Sequence, residues 1–167
     1  DDIFYNNNTI KNISYYFKLE PNLKMLIGNV IFKKNFRSKK ISRYYPSSIF
    51  KPWMMRFGYS PPHLSTFVKK DVYNKIGMYN KSYKIAGDFD FFLRCFFLKK
   101  LNFKKVNKNF VVMSPGGLSG RNFFSYYITT VEILKALKKH KIYSNIFFVL
   151  LRLPLKISQY FLNNYAK

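Results

Sequence analysis

The sequence predicts an α/β fold in which strands and helices interleave, with amphipathic helices at the C-terminus. Three observations lead there. Apolar runs of strand length and runs of helical periodicity alternate along the chain. The hydrophobic content is 48% and the aromatic content 20%, enough for a sizeable core and too much for wholesale disorder. The 167 residues suit one domain or a large piece of one, and no linker or internal repeat divides them. Interleaving alone allows α/β or α+β.

Each element has its own signal. Asn8 to Leu19 reads as a helix. Lys24 to Lys33 is apolar with β-branched residues in its second half, and reads as a strand. Asn35 to Tyr45 is basic and loop-like, with room for a short strand. Ser47 and Ser48 are expected to cap a short apolar helix running to Met55. Ser60-Pro-Pro-His63 is a rigid turn, and Leu64 to Lys69 alternates as a short strand. Asp71 is expected to N-cap a helical turn that stops at Gly77. Asp88 to Lys99 reads as a buried helix, and Phe103 to Met113 alternates as a strand. Ser114 to Gly120 reads as a flexible loop. Asn122 to His140 is an amphipathic helix, and Ser144 to Tyr165 is one or two helices broken near Pro154.

Composition excludes several classes of function. One cysteine, Cys95, allows no internal disulfide framework and no cysteine zinc finger. Two histidines make a multi-histidine metal site improbable. No Walker or Rossmann glycine loop is present, because Gly116-Gly117 lacks the spacing. The uncharged run Ile142 to Leu151 is ten residues, about half the ~20 that span a bilayer. No cleavable signal sequence is legible. The chain opens on Asp-Asp rather than methionine, so the reading allows for residues upstream.

Thirty Lys and Arg against seven Asp and Glu leave a net charge of +23. A polyanion or an anionic membrane surface is one explanation. Codon bias is another, since Lys, Phe, Asn, Tyr and Ile supply 87 of the 167 residues. The scarce acids are therefore more informative. They are Asp1, Asp2, Glu20, Asp71, Asp88, Asp90 and Glu132, and four of them form the pairs Asp1-Asp2 and Asp88-x-Asp90. Glu20 stands at a helix end before Pro21, and Glu132 is read as solvated.

Lys84-Ile-Ala-Gly-Asp-Phe-Asp-Phe-Phe-Leu-Arg94 carries the strongest chemical pattern. Asp88 falls at a helix start, where the macrodipole favours a carboxylate. Asp90 lies about 200° round the helix from Asp88 and one turn before Arg94, with which it can pair. The pattern presents one carboxylate outward and ties the other down. The plain alternative is a capping Asp88 beside a surface ion pair.

The stretch from Pro62 to Arg94 resembles the acceptor side of bacterial family-2 glycosyltransferases with the GT-A fold. Those enzymes have a His-containing strand, a basic pair, a short helix, a glycine-aromatic loop and an acidic motif ending in Leu-Arg. Gly116-Gly-Leu-Ser-Gly-Arg-Asn122 resembles the loop before their C-terminal helices. Asp1-Asp2 matches the last two positions of their acidic DXD-like motif, whose first position is missing here. The resemblance implies that Asp2 ligates Mg²⁺ or Mn²⁺ on the diphosphate of a nucleotide sugar. It also implies that Asp1 contacts the sugar or ribose side and that Asp88 is the general base. Asp90 and Arg94 would support the base helix, while His63 and Arg121 would contact donor or acceptor. Gly-Asp stands where many relatives have Glu-Asp, which leaves two aspartates for the base role.

The resemblance further implies an incomplete GT-A domain. Residues 1–120 would form its acceptor-side catalytic part, with a mixed sheet and flanking helices, and 121–167 a helical extension. Within it Tyr143 to Phe161, apolar over Ile146 to Leu151 and followed by Arg152, Pro154 and Lys156, reads either as an interfacial helix on an anionic membrane or as a helix packed on the core. The nucleotide-binding half would lie upstream, so the piece alone is not expected to be active. No Gln-x-x-Arg-Trp motif follows the acidic pair, and Trp53 precedes it, which favours one sugar per event over processive synthesis. The implied activity is inverting transfer from a nucleotide-sugar donor to a hydroxyl of a glycan or lipid-linked acceptor. The implied location is the cytoplasmic face of the plasma membrane. Nucleic acid is not an expected partner, since the lysines are dispersed rather than striped. A basic nucleic-acid-binding protein and an inactive glycosyltransferase remnant are the alternative readings.

Overall fold

The computed structural model describes residues 2–36, 38, 40–114 and 123–162. The fold is mixed α/β, with one open mixed sheet and, among the described residues, six α-helices. The strands are β1 (Asp2–Phe4), β2 (Met25–Phe32), β3 (Arg43–Tyr45), β4 (Thr66–Val68) and β5 (Phe103–Met113). The helices are α1 (Thr9–Leu19), α2 (Lys70–Ile76), α3 (Gly87–Phe92), α4 (Phe123–Lys139), α5 (Ile146–Leu150) and α6 (Arg152–Phe161).

β2 is the centre of the sheet because nearly every one of its residues is apolar. A strand buried on both faces needs no polar alternation. β5 pairs with it in parallel, and β1 lies antiparallel outside β5. The other side of β2 is shared: β4 pairs with Met25–Ile27, and β3 with Val30–Phe32. Side chains of β2 feed alternate faces. Met25 and Ile27 join the larger core under α3 and α4, with Phe50, Met55, Phe91, Phe92, Ile133 and Leu137. Leu26 and Val30 join a smaller core with Ile13 of α1, Leu23, Val106 and Phe110.

The β2–β5 register breaks on both sides of Asn29, where β5 holds more residues than β2. Gly28 sits at this irregularity because Phe110 fills the space beside it. A Cβ at Gly28 would lie 2.2 Å from Phe110 Cδ2. Asn29 is buried and fully engaged. Its amide donates to Asn107 Oδ1 at 3.0 Å, and its Oδ1 accepts the Ser47 N–H at 2.8 Å.

Four expectations change. Ser47 does not cap an α-helix. Two 3₁₀ turns, Ser47–Ile49 and Pro52–Phe57, replace it, and the Ser47 hydroxyl donates to the Val106 carbonyl. Pro52 lacks the N–H that would carry a helix through. Asp71 is not a cap either: α2 starts one residue earlier, and Asp71 pairs with Lys24 Nζ at 2.6 Å. The helix opened by Asp88 changes to π geometry over Leu93–Leu98. The C-terminal break falls at Leu151, ahead of Pro154, which sits in the first turn of α6 where proline is tolerated. The expected loop at Ser114 to Gly120 lies, beyond Ser114, outside the described residues.

Gly28→Ala should destabilise the protein by about 1–3 kcal/mol, because the added methyl overpacks against a buried ring. Phe110→Leu in the same background should recover part of that loss. Urea unfolding of the three proteins measures both.

Candidate functional site

The parallel strands β2 and β5 end at Phe32 and Met113, and both residues line a cleft of about 560 Å³. Ligands of open α/β sheets bind outside the carboxyl ends of such strands. The turn Tyr59–Leu64 forms one wall, and the start of α3 and faces of α4 and α6 form others. Gly58, at the rim, closes the preceding 3₁₀ turn with φ +69°, and a Cβ there would lie 2.9 Å from Val149 Cγ1.

Asp88 enters this cleft from the first turn of α3. Its side chain remains 30% exposed. One carboxylate oxygen accepts the Phe89 N–H at 2.7 Å, and the other lies 3.6 Å from His63 Nδ1. That separation is longer than a direct hydrogen bond and leaves the second oxygen open to a ligand. His63 is half-exposed on the opposing turn.

Asp90 faces the other way and is fully buried. It accepts from Arg94 Nε at 3.1 Å and lies 2.9 Å from His140 Nε2. Lys139 Nζ stands 3.7 Å away. Arg94 spends its remaining donors on the end of α2: Nη1 donates to the Ile76 and Gly77 carbonyls at 2.5 and 3.2 Å, and Nη2 to Met78 at 2.7 Å. These are orphan carbonyls at and just past a helix terminus, where a cation is favoured. The pair is therefore no surface ion pair. It ties α2, α3 and the end of α4 together.

Glu132 is not solvated. Its carboxylate accepts three consecutive backbone N–H groups, from Lys84 at 2.7 Å, Ile85 at 2.9 Å and Ala86 at 2.8 Å. α3 has no side-chain cap of its own at Ala86. A glutamate from the neighbouring helix holds its approach instead. Burial pushes the Glu132 carboxyl up, but the three backbone donors together outweigh it and hold it below its ordinary value.

The far wall of the cleft is cationic. Arg43 of β3 donates to Gln159 Oε1 and lies over the Phe32 ring at 4.7 Å. Arg152 is 1% exposed, with Nη2 donating to Thr130 Oγ1 at 2.8 Å. Lys156 follows one turn later, 5.5 Å from the Tyr126 ring centroid. Burial, followed by repulsion from Arg152 and Arg43, lowers the Lys156 ammonium from its ordinary 10.5 to about 8, against a smaller opposing pull from Asp88.

The cleft thus unites Asp88 and His63, with Asp90 and Arg94 behind the wall. Asp2 is exposed on β1, and its register partner is Met113 at the cleft edge. Asp1 and Arg121 lie outside the described residues. Among the described residues, no three His, Cys, Asp or Glu side chains gather as a metal site. Asp2 is exposed and is not among the residues that line the cleft, and its one carboxylate would hold Mg²⁺ only with the other oxygens coming from water and substrate phosphates. Glu132, His140, Arg43, Arg152 and Lys156 were missed by sequence reasoning. The i, i+4 spacing of Arg152 and Lys156 was the one available signal, since it places two cations on one helical face.

Glu132→Ala should cost about 1–3 kcal/mol, because three backbone donors lose their acceptor. The folded carboxyl is held low, so its stabilisation is present above about pH 4.5 and fades as pH falls. The variant should therefore converge on wild type in acid, measured by denaturant unfolding across pH. Lys156→Met should behave in the opposite sense. The unfolded chain holds the Lys156 proton more tightly than the folded one between about 8 and 10.5, so wild-type stability rises across that window. Arg43, Arg152, His63, Tyr126 and Asp88 line the same cleft and are common to both proteins. The difference in Tm between them should shrink as pH rises through that window.

No protein-family model matches the chain and no curated protein matches it, so the chemistry of the cleft rests on its own side chains.

Proposed function

We propose that the chain forms the acceptor-side catalytic part of an inverting glycosyltransferase with an incomplete GT-A-type domain. The observation that carries this reading is the division of labour between Asp88 and Asp90. One carboxylate has an open oxygen in a cleft at the ends of parallel strands, and the other is locked beneath it by Arg94 and His140. A transfer that inverts configuration needs one base in a fixed place, rather than a nucleophile and an acid.

In this reading an acceptor hydroxyl donates its proton to the free Asp88 oxygen. Its oxygen bonds to the sugar's anomeric carbon as the bond from that carbon to the diphosphate oxygen breaks. The leaving diphosphate departs with the electron pair. Mg²⁺ or Mn²⁺ held by Asp2 would neutralise its growing charge. His63, opposite Asp88, is placed to contact the acceptor or the diphosphate. Arg94 and Asp90 keep α3 aligned so that Asp88 does not swing away.

The acceptor is a hydroxyl of a glycan or lipid-linked sugar. The C-terminal helices support docking at a membrane surface through apolar side chains. Phe147 and Phe161 are each 77% exposed and Leu151 and Ile157 are exposed as well, while Arg152 and Lys156 beside them line the cleft. No helix among the described residues is long and apolar enough to cross a membrane.

Asp88→Asn in the complete encoded polypeptide should lower sugar transfer by about 10²–10⁴-fold while the circular dichroism spectrum and Tm stay close to wild type. Product formation from a panel of nucleotide sugars is the readout. Full activity in the folded variant would remove Asp88 from the base role.

A further inference from the structure

The cleft wall opposite Asp88 carries more positive charge than the protein itself neutralises. Four cations line the cleft, Arg43, Lys84, Arg152 and Lys156, against one carboxylate, Asp88. Arg152 is the most constrained of them. It is 1% exposed, and its Nε and Nη1 have no hydrogen-bond partner among the described residues. A buried guanidinium with two idle donors is costly unless an anion joins it.

The neighbouring groups are rigid rather than adaptable. Arg43 is fixed by Gln159, whose amide in turn donates to Tyr59 Oη at 3.1 Å. Its guanidinium also lies 5.6 Å from the Tyr160 ring centroid. Thr130 holds one arm of Arg152, leaving the other two nitrogens on its planar fork. Two side chains of α6, one turn apart, and one of β3 therefore face a common space with few degrees of freedom. Such preorganised cations are what a multiply charged oxyanion needs.

We propose that Arg43, Arg152 and Lys156 form a receptor for a phosphoryl group. The two guanidinium groups supply fixed positive charge along the wall for the oxygens of a tetrahedral phosphate, and the lysine adds a point charge. A single carboxylate would leave most of the wall unneutralised, whereas a phosphate monoester or diphosphate carries about two negative charges. The charge Lys156 bears near neutral pH fits the same role, since repulsion from its two neighbours is relieved when an anion enters. The receptor deepens the sugar-transfer reading, and rests on it only for the source of the phosphate: the donor's diphosphate or the phosphate of a lipid-linked acceptor.

Binding without turnover tests it. The 167-residue chain is titrated calorimetrically with inorganic pyrophosphate at pH 7 and fixed ionic strength, alongside Lys156→Met, Arg152→Met and the surface control Lys18→Met. Saturable binding that weakens about tenfold or more in Lys156→Met, with Lys18→Met unchanged, is the expected result. Arg152→Met should weaken it further where that variant folds, and Lys156→Met decides the matter where it does not. Uridine diphosphate and octyl phosphate are then titrated separately. Dependence on Lys156 for the first supports a donor-side receptor, and for the second an acceptor-side one. No saturable binding of any of the three, or binding unaffected by Lys156→Met, overturns the proposal. An inactive transferase that still binds pyrophosphate through Lys156 would overturn only the sugar-transfer reading.

Discussion

One buried carboxylate organises the site side of this protein. Asp90 has no access to water, so its charge must be met inside the fold. Arg94 meets it from one turn along the same helix, and His140 from the end of α4. Arg94 is in turn neutralised enough to spend its other nitrogens on the last carbonyls of α2. Removing one partner of such a network leaves an uncompensated buried charge, which costs about 3–5 kcal/mol in comparable cases. Three helices are thereby fixed around one oxygen pair.

The position of Asp88 follows from that anchor. Two residues along a helix turn a side chain most of the way to the opposite face. Locking Asp90 inward therefore turns Asp88 outward, into the cleft. Glu132 adds a second restraint by gathering the three N–H groups that lead into α3. α4 thus serves as a brace: its middle holds the approach to the helix and its end holds the helix itself. The cleft's opposite wall comes from β3 and α6, so the carboxylate and the cations reach one space from separate parts of the chain.

The strands β2 and β5 and the helices α1 and α4 were legible in the sequence, to within a residue or two. Their patterns are long, and burial enforces them. The acidic pair and Arg94 were legible too, because their spacing is local and seven acids leave few to consider. The errors share a cause. Ser47 looked like a cap, but its hydroxyl and N–H meet Val106 and Asn29, partners that only the fold brings near. Glu132 looked solvated because its three donors lie nearly fifty residues away. His140 and Arg43 carried no local pattern at all. The π turn after Phe92 was hidden because an apolar aromatic run looks the same in α or π geometry.

The central physical claim is that Asp90 holds the helix bearing Asp88. Amide hydrogen exchange in Asp90→Asn tests it most directly. The account predicts faster exchange confined to residues 76–78, 84–94 and the end of α4, with β2 and β5 still protected. Protection unchanged at those residues, or lost evenly throughout the sheet, would contradict it.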